Sequence, residues 1–168
     1  YDLVSVFLLY LIGTRLYNRR IGLTAAAFSA LSVLLIQHAH FFVVDAFTNT
    51  FILVGIYFAV RAADEGLARD YALFGVALGM SMASKISAFP LAALLALSAL
   101  VQVIRAKPDD RRQEARQVIR MLGMGAALAF LVFRILQPYA FQGPTFFGLG
   151  LNPHWVDNLR ELSAQSSG

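Results

Sequence analysis

The sequence contains no cysteine, and charged residues make up only 14% of its 168 positions. Without thiols, neither a disulfide scaffold nor a zinc ribbon can form. Typical globular chains carry about 25% charge, so an ordinary soluble surface is missing too. Polar low-complexity sequence is also almost absent, which excludes a disordered chain. What fills the space is apolar, at 58% hydrophobic residues and a mean hydropathy of +0.64. The length allows one domain, but apolar surface on this scale needs lipid as its solvent. The expected fold is all-α, a polytopic transmembrane helix bundle.

The net charge is +4, yet Lys and Arg sit between apolar runs rather than along one face. The basic balance therefore reflects loop bias and not a nucleic-acid partner. The apolar runs are Leu3–Tyr17, Ile21–Ile36, Phe41–Val60, Tyr71–Ser84, Ile86–Ile104 and Val118–Leu136. Basic loops flank Tyr71–Ile104 on both sides, so this stretch must cross an even number of times. Its length suits a tight helical hairpin turning near Lys85 and Pro90. About six spans result.

Charge sorts the loops. One side collects Arg15, Arg19, Arg20, Arg61, Arg69, Arg105, Lys107, Arg111, Arg112, Arg116 and Arg120, and the other only Lys85, Arg134 and Arg160. The positive-inside rule then puts the first set in the cytoplasm. Residues 37–45, the Lys85 turn and everything after Gln137 face outward. Residues 1–137 form the bundle, and 138–168 an outward loop with an amphipathic helix. Asn152-Pro153 starts that helix; Trp155, Leu159 and Leu162 share one face, fit to lie at the membrane interface or to roof a cavity. Small residues at Gly75, Gly79, Ala83 and at Gly123, Ala127 point to close helix packing. The chain opens Tyr1-Asp2-Leu3 and ends in a polar stretch, so it is expected to be truncated at both ends.

Ionisable groups within spans cost about 2.5–3.5 kcal/mol each at the helix centre. Three occur: Asp45, Lys85 and Arg134, all toward the outer ends of their helices. Their common depth fits a site open to the outer leaflet. Asp45, Thr48 and Asn49 fall at i, i+3 and i+4 and can point together, though Asp45 could equally cap the helix. His38 and His40 share a face in extended chain and could hold a metal or a sugar hydroxyl, or simply lie at the interface. Lys85 lies in a hydroxyl-rich break, Ser81-Met82-Ala83-Ser84-Lys85-Ile86-Ser87, suited to an anionic headgroup; snorkelling is the plainer alternative. Arg134 could grip phosphate oxygens in a bidentate fork.

Taken in order, His40-Phe41-Phe42-Val43-Val44-Asp45, the glycine-rich run Gly79 to Lys85, and Arg134-Ile135-Leu136-Gln137-Pro138-Tyr139-Ala140-Phe141 resemble a known family. It is the membrane core of the protein O-mannosyltransferase and aminoarabinose-transferase group, the polytopic glycosyltransferases of the GT-C type, most of all bacterial members. The resemblance implies an enzyme of the bacterial plasma membrane with its active face outward. It would move a sugar from a polyprenyl-phosphate donor to an acceptor hydroxyl on a protein, lipid or glycan, inverting the anomeric carbon. Asp45 would be the catalytic acid residue of an outer loop, with Lys85 and Arg134 on the donor phosphate. His38, His40, Asn49, Gln137 and Tyr139 would contact acceptor or sugar. The resemblance leaves a divalent metal open. The family's first outer loop, with its Asp-Glu motif, has no counterpart here; the base would precede residue 1 and the isolated piece would be inactive. Two other classes use the same residues: a transporter or flippase for an anionic lipid or solute, and a non-catalytic membrane scaffold.

Overall fold

The computed structural model describes residues 1–32, 44–143 and 148–166. Helix α1 (Asp2–Leu16) is followed by α2 (Arg19–Ala30), whose first turn is capped by Asn18: its side-chain oxygen accepts from the Ile21 N–H at 3.0 Å. Helix α3 (Val44–Glu65) ends at Gly66, whose φ of +63° only glycine adopts without steric cost. Helix α4 (Ala68–Ser84) runs back, and a short 3-10 turn (Ile86–Leu91, holding Pro90) leads into α5 (Ala92–Arg105). After a turn comes α6 (Arg111–Leu136). A second 3-10 turn (Pro138–Ala140) leads to strand β1 (Phe141–Gln142), which pairs antiparallel with β2 (Gly150–Leu151) before α7 (Pro153–Ser166).

The fold is all-helical apart from that two-residue ladder, which the apolar pattern does not announce. Among the described residues three helical stretches are long and apolar enough to cross a membrane: Val44–Glu65, Ile86–Arg105 and Arg111–Leu136. Helices α1, α2 and α4, of 15, 12 and 17 residues, fall short of the roughly 20 residues a full crossing takes. Large apolar side chains such as Leu3, Phe28 and Ile119 project from the surface, as lipid-facing positions do.

Helix α4 sits at the centre and packs on both α3 and α6. Tyr71 and Phe74 on it are fully buried, in a core shared with Ala59, Leu91, Leu95, Met121 and Ala129. A smaller cluster of Leu8, Ile12 and Leu53 joins α1 to α3, where the Ser5 and Thr50 hydroxyls also meet at 2.9 Å.

The small-residue expectation holds for α4 and is corrected for α6. A Cβ on Gly75 would come within 2.2 Å of the Gly125 carbonyl oxygen, and one on Gly79 within 2.6 Å of that of Ala129. The α6 positions in the seam are thus Gly125 and Ala129, not Gly123 and Ala127; Gly123 has nothing within 4 Å of its missing Cβ. A spacing of four repeats on every face of a helix, so sequence alone does not choose the register. Gly75→Val is therefore expected to destabilise the bundle by about 1–3 kcal/mol through overpacking. Gly123→Ala should be neutral or stabilising by up to about 1 kcal/mol, both read as thermal unfolding shifts in detergent.

Candidate functional site

Two elements that end at the same level of the bundle build the site. Ser81 and Ser84, in the last turn of α4, turn their hydroxyls back to the Leu78 and Met80 carbonyls at 2.9 and 3.0 Å. Lys85 then leaves helical geometry (φ −153°, ψ 111°) while its N–H still reaches the Ser81 carbonyl. This extended residue swings its side chain toward the start of α3. There Nζ donates to Asp45 Oδ1 at 2.9 Å, and both side chains stay about half exposed, at 55% and 54%.

The expected grouping of Asp45 with Thr48 and Asn49 is present. All three line one cavity of about 220 Å³ together with Ile52, Lys85 and Ser87. Thr48 is buried and its hydroxyl donates to the Val44 carbonyl at 3.2 Å. On the other flank of Lys85 lies a second cavity, of about 340 Å³, walled by the end of α4, by Phe133, Gln137 and Tyr139, and by Trp155, Asn158 and Leu159 of α7. Lys85 is thus common to both hollows. Helix α7 is held over the second: Asn152 Oδ1 accepts from the His154 N–H at 3.1 Å, its Nδ2 donates to the Tyr139 carbonyl at 3.0 Å, and Trp155 packs on Phe133.

Arg134 lines neither hollow. It is buried, its guanidinium 4.8 Å from the Phe141 ring centroid and Nη2 donating to the Gly148 carbonyl at 3.3 Å. Asp45 and Lys85 thus meet, whereas Arg134 is directed at the Phe141 ring and the Gly148 carbonyl. His38 and His40 lie outside the described residues. Among the described residues no group of three His, Asp or Glu side chains is gathered to hold a metal ion.

The opposite end of the bundle carries charges that a loop-counting reading places in solvent. Arg61 Nε donates to Asp70 Oδ1 at 3.0 Å, and Asp70 is wholly buried at the first turn of α4. Arg61 also reaches Glu65 at 2.9 Å, while Arg15 pairs with Glu65 and, at 3.0 Å, with Asp64. The signal for this was an Arg and an Asp nine residues apart across a tight Gly66 turn. Asn158, absent from the sequence-based site, was recoverable as the i+3 neighbour of Trp155.

These features define an integral membrane protein of packed helices with a cation and a carboxylate meeting between two hollows at one end. A family profile described as dolichyl-phosphate-mannose-protein mannosyltransferase matches residues 1–136. The chain belongs to that family of membrane glycosyltransferases. No curated protein and no solved structure matches it.

The two ion pairs differ in what their loss would do to the fold. An exposed pair contributes about 0–1 kcal/mol, so Asp45→Asn should leave the unfolding temperature within a degree or two. Removing one partner of a buried pair costs about 3–5 kcal/mol when the other charge is left stranded; Arg61 keeps Glu65, so Asp70→Ala should cost less than that. It should still lower thermal stability clearly more than Asp45→Asn in the same detergent assay.

Proposed function

We propose that this chain forms the donor-binding part of a glycosyltransferase that moves a sugar from a polyprenyl phosphate to an acceptor hydroxyl. The observation that carries the reading is the Lys85–Asp45 contact at 2.9 Å, at the junction of two hollows. A membrane charge pair held half exposed contributes little to stability, so its placement is better explained by a polar ligand.

The chemistry follows from the charges. The acceptor oxygen attacks the anomeric carbon, a new C–O bond forms, and the bond from that carbon to the phosphate oxygen breaks. The electron pair leaves with the lipid phosphate, whose growing negative charge the Lys85 ammonium stabilises. Asp45 orients the attacking hydroxyl or takes its proton, with Asn49 beside it as a hydrogen-bonding partner for acceptor or sugar. Attack opposite the leaving phosphate inverts the anomeric carbon. As phosphate draws Lys85 to itself, the carboxylate is released for the hydroxyl, so donor entry prepares the acceptor side.

Arg134 would act on phosphate only if it were redirected from Phe141, so the donor role falls first on Lys85. The site end of α3 and α4 is opposite the end bearing Arg15, Arg61, Arg69 and Arg105. By the positive-inside rule it faces outward, toward the leaflet where a lipid-linked sugar and its acceptor would meet.

Transfer from a radiolabelled polyprenyl-phosphate sugar by the full-length protein tests this. Lys85→Ala and Asp45→Asn should each lower kcat about a hundredfold or more, and Lys85→Arg should retain part of the activity. Wild-type turnover in both of the first two variants would reject the assignment.

A further inference from the structure

The walls of the hollow beside Lys85 come from two parts of the chain. Met82 to Ile86 and Phe133 fall within the stretch that matches the family, whereas Gln137, Tyr139, Trp155, Asn158 and Leu159 all lie beyond residue 136. We infer that this second wall receives the glycosyl ring of the donor, and that Trp155 and Asn158 contact that ring. The inference rests on the donor reading of Lys85.

Chemistry and size both point to a sugar ring. Gln137 and Asn158 each offer an amide donor and an acceptor, the pairing a ring hydroxyl needs. Trp155 and Tyr139 offer flat apolar faces for the C–H side of a pyranose. At about 340 Å³ the hollow is at the small end of ligand pockets, which run from about 300 to 1,000 Å³. That leaves room for a sugar ring.

Position agrees. Among the described residues, two hollows adjoin Lys85 and could take a ring esterified to a phosphate on it. The one holding Asp45, Thr48 and Asn49 supplies the carboxylate and polar groups that an acceptor hydroxyl requires. The ring then falls to the α7 side. The wall is also pre-set: Asn152 ties the start of α7 to the Tyr139 carbonyl, and Trp155 rests on Phe133 with ring centroids 6.3 Å apart. Tyr139 and Trp155 are therefore positioned as one piece.

Binding of dolichyl phosphate mannose and of bare dolichyl phosphate to the purified full-length protein separates a sugar subsite from a lipid one. Asn158 is exposed on α7, so Asn158→Ala should keep the fold, and Trp155→Leu keeps the apolar contact with Phe133 while removing the flat face. Each should weaken the mannosylated lipid about five- to tenfold, the worth of a hydrogen bond or a ring contact, and leave bare dolichyl phosphate unchanged. Lys85→Ala should weaken both lipids. Equal losses for the two lipids in the α7 variants would assign the hollow to the isoprenoid and overturn the inference, as would no loss in either. If the unaltered protein bound neither lipid, the donor reading itself would fail.

Discussion

Hydrocarbon offers no partner to a charge, so a membrane chain must either pair its ionic groups or bring them to where water and headgroups begin. Both solutions appear here on one pair of helices. Where α3 turns into α4, Arg61 encloses the buried Asp70 and draws Glu65 and, through it, Arg15 into the same network. At the far ends of the same helices Asp45 and Lys85 meet in the open. One end of the hairpin is closed by its ions and the other is held ready by them. The glycine seam of α4 against α6 then fixes the depth at which Lys85 emerges, since Gly75 and Gly79 admit no side chain without a shift in α6.

Much of this was legible in the residues. Apolar content points to a helical membrane protein, and the cost of burying charge singles out Asp45, Lys85 and Arg134, of which the first two meet. The i, i+3, i+4 set of Asp45, Thr48 and Asn49 folds as periodicity requires. The family profile spans residues 1–136, a stretch that includes Asp45, the glycine-rich run and Lys85. The roof over Lys85 was readable as an amphipathic helix, since Trp155 and Leu159 share a face.

What the sequence concealed depends on direction rather than depth. Arg134 is expected at the level of Lys85, but a side chain can leave a helix to any side, and the Phe141 ring with the Gly148 carbonyl takes its guanidinium. Asp70 reads as a loop acid because a buried carboxylate is recognisable only once its cation is seen folded over it. Gly125 hides behind Gly123, since both fit a four-residue spacing and only the packed register separates them.

The shortness of α4 has a consequence for the lipid around it. At 17 residues the helix rises about 26 Å, less than the roughly 30 Å of a bilayer's hydrocarbon core, while its neighbour α3, at 22 residues, rises about 33 Å. Were α4 to cross the membrane, the bilayer beside it would have to thin, or water to enter along it, to meet that deficit. A phosphate approaching Lys85 would thus travel less far out of its own headgroup plane than the nominal thickness of the membrane suggests.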